Sequence, residues 1–189
     1  MRIIGGEVRG RRIGTLKGIR LRPTSDRVKE SLFNILPRDL AGARVLDLFA
    51  GSGNLSIEAL SRGAASVLLV DSSRDAARLI ERNLAEVGFM DRARIWAKPV
   101  NAALRQLGAR NLKHDVIFMD PPYDRGWLEK VLASIDKEEV VEVGGIVVAE
   151  HSRRERVAEC YGSLTLKDQR AYGDTLLSFF ELRPRGGAR

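Results

Sequence analysis

The chain has 189 residues, 44% of them hydrophobic and 30% charged, with a formal net charge of +7 at pH 7. That length suits one ordinary domain with a core that needs neither disulfides nor metal, and no apolar run approaches the roughly 20 residues that cross a bilayer. Cys160 is the sole cysteine, which excludes an internal disulfide; with no apolar stretch of signal-peptide length near the N-terminus, a soluble protein of the reducing cytoplasm is expected. Two histidines, His114 and His151, and one cysteine cannot make a usual zinc cluster, and no metal is expected.

The charge is unevenly placed. Up to Arg22 the chain carries seven basic residues (Arg2, Arg9, Arg11, Arg12, Lys17, Arg20 and Arg22) against one acid, Glu7. A basic arm on a nearly neutral body suits phosphate binding, because each neutralised phosphate releases counterions; a solvated surface that only aids solubility is the alternative. The arm, "RIIGGEVRGRRI", reads as two short β segments around a glycine-containing turn. "RPTSDRVKESLFNIL" follows as a helix, with Thr24 or Ser25 as its cap and Val28, Leu32, Ile35 and Leu36 at helical spacing. This divides the chain into a basic hairpin extension over residues 1–22, expected to bind RNA, and one compact domain over residues 23–189.

From there strands and helices alternate. "ARVLDLFA", "SVLLVD", "ARIWA", "DVIFMD" and "GGIVVAEH" are strands, separated by the helices "NLSIEALSRG", "RDAARLIERNLAEVG", "VNAALRQLG" and "WLEKVLASI". Such alternation predicts an α/β fold, a Rossmann-like parallel sheet with helices on both faces. "LTLKDQRAYGDTLLSFFEL" breaks the pattern, with two extended segments flanking Tyr172, Gly173 and Asp174 as an antiparallel hairpin at the sheet edge.

The first strand runs into "AGSGNLSIEAL", which sets Gly51 and Gly53 between a strand and a helix, where a missing Cβ permits a sharp turn and close approach of a ligand. A dinucleotide fingerprint would need glycine where Ser56 stands, and no phosphate-loop motif occurs. The next strand ends in Asp71, placed to accept both hydroxyl hydrogens of a ribose or else to cap the following helix. After the fourth strand, "MDPPY" joins an acid, Asp120, to two prolines that lack N–H donors and stiffen the turn, and to the aromatic face of Tyr123.

"LDLFAGSGNLSIEAL", "VLLVDSS" and "MDPPY", in this order, resemble the S-adenosylmethionine-dependent amino methyltransferases. "MRIIGGEVRGRR", "LRPTSDRVKESLFNIL" and "YGDTLLSFFEL" narrow the resemblance to the small bacterial enzymes that methylate a guanine N2 of 16S ribosomal RNA, and it covers essentially the whole chain. The resemblance implies a seven-stranded methyltransferase sheet whose last strand runs antiparallel, with S-adenosyl-L-methionine as cofactor. It implies that Asp47, Phe49, Gly51, Ser52, Gly53, Asp71, Ser72 and Asn101 bind that cofactor, with residues 49–53 around its methionine part and Asp71 on its ribose. Many relatives place an acid where Asn101 stands; the Asn101 amide oxygen can accept from the adenine amine without charge, or Asn101 can cap a helix.

In this scheme an exocyclic amine attacks a sulfonium methyl, and its lone pair must first be localised. The Asp120 carboxylate and the Pro121 carbonyl would hold the amine hydrogens, Tyr123 would stack on the base, and Pro122 with Pro121 would fix the geometry. Structured 16S ribosomal RNA, alone or within a small-subunit particle, explains arm, size and motif together. The alternatives are an adenine N6 in RNA or DNA, a protein glutamine, and a non-catalytic RNA-binding module; a small molecule would not need the arm.

Overall fold

The computed structural model describes residues 1–15, 26–36, 40–123 and 125–183. Lys17, Arg20, Arg22 and both proposed caps of the first helix, Thr24 and Ser25, lie outside the described residues. The chain divides into two units, Met1–Lys98 and Pro99–Arg189.

In the first unit, α1 (Asp26–Ile35) precedes β1 (Arg44–Leu48), α2 (Asn54–Ser61), β2 (Ser66–Asp71), α3 (Arg74–Val87), a short 3-10 turn (Met90–Arg92) and β3 (Ala93–Ala97). The three strands are parallel in the order β3-β2-β1, with Leu46 opposite Leu68 and Val67 opposite Ala93. β1 and β2 are buried almost without interruption, as expected of strands covered on both faces. α2 packs on β1 and β2, and α3 on β2 and β3. Ile57 and Leu60 of α2 and Ile80 and Leu84 of α3 are completely buried; α3 buries one face, whereas α2 is buried along nearly its whole length. α3 begins at Ser73, whose side chain accepts from the Ala76 N–H at 3.2 Å, and ends at Gly88 with φ of 82°.

The basic arm doubles back through one antiparallel bridge, Arg2 opposite Arg12, rather than through two strands. Ile3 N–H donates to the Arg11 carbonyl at 2.9 Å and Ile13 N–H to the Met1 carbonyl at 2.9 Å. The reversal uses Gly6 (φ 74°) and Gly10 (φ 88°). Burial of Ile3 and Ile13 orients the loop, leaving Arg2, Arg9, Arg11 and Arg12 exposed.

In the second unit, α4 (Val100–Ala109), β4 (His114–Met119), α5 (Trp127–Lys137) and β5 (Val141–Ser152) are followed by β6 (Cys160–Tyr161), β7 (Leu164–Tyr172) and β8 (Thr175–Leu182). β4 and β5 are parallel, whereas β5–β8, β8–β7 and β7–β6 pair antiparallel. The terminal hairpin closes on Tyr172 opposite Thr175, with Gly173 at φ of 61°. β5 starts before the expected "GGIVVAEH" because the register shifts between His114 and Val116, and Gly144 at φ of 77° absorbs the irregularity.

Eight strands are described in this mixed α/β fold, one more than the expected seven. The addition is the two-residue β6 on the edge of β7, where the Tyr161 ring meets Phe180 edge-on at 5.8 Å. So short a strand leaves no alternating pattern in the sequence. Among the described residues no helix is long and apolar enough to cross a membrane.

Candidate functional site

The glycine loop follows β1. Phe49, Gly51 and Gly53 all adopt left-handed φ (65°, 57° and 76°), and a Cβ on Gly53 would come within 3.1 Å of Leu69. A non-glycine residue at such an angle marks a loop held by its surroundings rather than by propensity. Asp71, half-buried at the end of β2, supplies part of that hold: Oδ2 accepts the Gly51 N–H at 2.9 Å and Oδ1 the Ser73 N–H at 2.8 Å. The cap of α3 is therefore Ser73, and Asp71 braces both the loop and that cap. A carboxylate has about four acceptor positions, so Asp71 keeps capacity for ribose hydroxyls. Ser52 is buried within the loop, and Ser72 is exposed beyond Asp71.

Asp47 is buried inside β1 and accepts from Ser56 Oγ at 2.7 Å. Burial, then the charge of Asp71, pushes its carboxyl from 3.8 to about 7, against the pull of the Ser56 hydrogen bonds. With the folded value above the unfolded one, the folded state keeps a proton that the unfolded state has lost between pH 4 and pH 7. Stability therefore falls as pH rises through that window and levels off above it. Asp47→Asn should abolish this slope in denaturant titrations at a series of pH values; an unaltered slope would assign it to another group.

In the second unit, Asn101 is the second residue of α4, whose cap position is Pro99. The helix-cap alternative is thereby removed, and Asn101 Oδ1 is buried with no hydrogen-bond partner among the described residues. A buried acceptor left open is costly unless a donor arrives.

The "MDPPY" turn leaves β4 with Asp120 half-buried, Pro121 buried, Pro122 exposed and Tyr123 half-buried. Met119 is in register with Ala149, so Asp120 and Glu150 follow at the same level of β4 and β5. Glu150 is 6% exposed, and its Oε1 accepts from the Tyr123 hydroxyl at 3.3 Å. Burial, followed by the Glu150 and Asp120 carboxylates, raises the Tyr123 pKa, opposed by a hydrogen bond with Thr175. The phenol remains a protonated donor, and its tip is fixed. α5 is preceded by Gly126, so Asp120 does not cap it.

The sequence reading missed Glu150 and Asn83. Their signal was present: each is a polar residue inside an otherwise apolar set, Glu150 after "IVVA" and Asn83 on the buried face of α3. The arm lies against α2 and α3 of its own unit. The Glu7 N–H donates to the Ser61 carbonyl at 2.8 Å, Ile4 N–H to Glu58 Oε2 at 2.8 Å, and Arg11 Nη1 to the Glu86 carbonyl at 3.0 Å.

The family model described as Conserved hypothetical protein 95 matches residues 1–181. "Putative rRNA methyltransferase YlbH" of Bacillus subtilis is 37% identical over 183 residues, spanning 97% of this chain and 100% of that protein. The chain belongs to this family of small bacterial rRNA methyltransferases. A second relative in the family, "Ribosomal RNA small subunit methyltransferase D" of Escherichia coli, is 41% identical over 133 residues, 70% of this chain and 65% of that protein. Among solved structures, "Putative methyltransferase yhhF" from Escherichia coli superposes with a TM-score of 0.87 at 29% identity, covering 98% of this chain and 99% of that one. The family's methyltransferase fold thus extends over both units of the chain.

Proposed function

We propose that the protein transfers a methyl group from S-adenosyl-L-methionine to the exocyclic N2 amine of a guanine in 16S ribosomal RNA, in the cytoplasm. The observation that carries this reading is the rigid turn in which Asp120, Pro121 and a hydroxyl-anchored Tyr123 leave β4 beside Glu150. The fit of the cofactor is supported by the glycine loop, by the half-exposed Asp71 carboxylate and by the open acceptor of Asn101.

Bound S-adenosylmethionine supplies an electrophilic methyl on a sulfonium. Asp71 would accept hydrogen bonds from the ribose hydroxyls, Asn101 Oδ1 would accept from the adenine amine, and residues 49–53 would hold the methionine part. Asp120 and the Pro121 carbonyl would accept hydrogen bonds from the two hydrogens of the target amine and draw its lone pair out of conjugation; the N–C bond would form as the C–S bond breaks and the neutral thioether leaves. Tyr123 stacks on the base and aligns the nitrogen. The one proton lost by the amine would pass to the Asp120 carboxylate or to water.

The test is to incubate labelled cofactor with 16S ribosomal RNA, small-subunit particles, DNA and protein, and to map the modified residue. Label in N2-methylguanine of 16S RNA is expected; label in N6-methyladenine or in a protein glutamine would overturn the substrate assignment.

Tyr123→Phe keeps the stacking face but frees the ring from Glu150. The expected result is a modest fall in single-turnover rate, smaller than for Tyr123→Ala, and the same fall for Glu150→Ala, which removes the acceptor, if the carboxylate acts through the hydroxyl. The double variant should then be no worse than either single one. Additive losses would give Glu150 a separate role.

The arm is predicted to grip the phosphate backbone. Replacing Arg9, Arg11 and Arg12 together by Ala should weaken RNA binding, leave cofactor affinity unchanged, and flatten the log-affinity against log-salt slope by about two to three, since each phosphate contact contributes roughly 0.7 to 0.9. Slopes parallel to wild type in a folded triple variant would remove the arm from RNA binding.

A further inference from the structure

We infer that Asn83 is a positioning residue for the glycine loop, through which the N-terminal segment becomes part of the cofactor site, so that RNA and cofactor reinforce each other's binding. This rests on the methyltransferase reading above.

Asn83 sits between Ile80 and Leu84 on the apolar face of α3 and is 1% exposed. A buried amide is costly unless paired, and this one is paired in two directions. Nδ2 donates to the Ser52 carbonyl at 2.8 Å and to the Gly14 carbonyl at 3.2 Å, while Oδ1 accepts from the Gly14 N–H at 2.8 Å. Ser52 lies between the two left-handed glycines of the loop, and Gly14 lies in the segment that carries Arg9, Arg11 and Arg12. One side chain therefore holds both.

A second strut repeats the pattern on the other side of Gly53. The fully buried Lys29 donates from Nζ to Asn54 Oδ1 at 3.1 Å and to the Arg2 carbonyl at 2.5 Å. Glu58, also fully buried, lies 4.0 Å from Lys29 and accepts the Ile4 N–H at 2.8 Å. An arm that merely needed anchoring could be held by α2 and α3 without touching the loop. Instead, Ser52 and Asn54, the neighbours of Gly53, are each fastened to a side chain that also grips arm backbone.

Any shift of the arm at Gly14 or Arg2 therefore reorients the loop's peptide groups. RNA that fixes the arm fixes the loop, and by linkage the cofactor must raise RNA affinity by the same factor. Backbone atoms of the arm carry this coupling, so the arginine-to-alanine exchange above leaves cofactor affinity alone.

The test uses S-adenosylhomocysteine, the unreactive product form of the cofactor, and a 16S ribosomal RNA transcript. Calorimetry on the wild type should show the dissociation constant falling about fivefold or more when RNA is saturating, the lower end of usual couplings. In Asn83→Ser, whose side chain is too short to span the gap, affinity without RNA should weaken about tenfold and the RNA effect should shrink to within about twofold. Asn83→Asp keeps the acceptor for Gly14 N–H but loses the donor to both the Ser52 and the Gly14 carbonyls; it should weaken cofactor binding and shrink the RNA effect as Asn83→Ser does. Hydrogen exchange on the wild type gives a readout free of any folding defect, with amides 51–54 slowing when RNA is added without cofactor.

Unchanged affinity in a folded Asn83→Ser overturns the positioning role. A wild-type dissociation constant and exchange pattern indifferent to bound RNA overturn the coupling. Failure of the wild type to bind RNA at all would instead strike the substrate reading, with the Asn83→Ser affinity still deciding the positioning role.

Discussion

Asp120→Ala should lower the single-turnover rate of methyl transfer by about two orders of magnitude or more while RNA and cofactor still bind. An aromatic exocyclic amine is a poor nucleophile because its lone pair is shared with the ring. Acceptors that hold its hydrogens favour a tetrahedral nitrogen, and this interaction grows as positive charge develops. The effect belongs to the transition state, so it appears in rate rather than in affinity. Asp120 leaves β4 half-buried at the level of Glu150, in a turn that two prolines stiffen. Asp120→Asn keeps one acceptor oxygen and should fall between wild type and alanine. Rapid-quench measurement with enzyme in excess over RNA is the appropriate check. A folded alanine variant with near-normal rate would leave the Pro121 carbonyl and positioning as the source of catalysis.

Asp71→Ala should weaken cofactor binding by roughly ten- to a hundredfold, because a hydrogen bond to a charged group contributes about 1.5 to 3 kcal/mol. The structure adds a second cause. The same carboxylate holds Gly51 N–H at 2.9 Å and Ser73 N–H at 2.8 Å, so its removal releases the loop as well as the ribose. Ser73→Ala separates the two: it deletes the α3 cap, costs about 1 kcal/mol of stability, and should leave cofactor affinity nearly intact. Calorimetry with S-adenosylhomocysteine alongside thermal unfolding measures both quantities. If Asp71→Ala lost stability but no affinity, Asp71 would be a brace for the loop and α3 only.

Much of this molecule is determined locally. The continuous apolar runs of β1 and β2, the cap at Ser73, the stop at Gly88 and the Gly173 turn each follow from residue types within a few positions, because strand period, capping and left-handed backbone are short-range properties. The glycine loop, Asp71 and the Asp120 to Tyr123 turn were legible for the same reason: each joins one strand to its next element. Tertiary structure decided what those residues touch. Nothing near Asp47 in sequence announces that burial and the Asp71 charge hold its carboxyl near 7. That Glu150 fixes Tyr123 depends on the register of β4 against β5, which sequence leaves open. The sequence marks the arm as a basic hairpin extension, whereas its backbone is bound to Asn83, Lys29 and Glu58 far along the chain. Those pairings join residues tens of positions apart, and no periodicity records them, since a buried polar side chain chooses its partner only once the core has brought the two together.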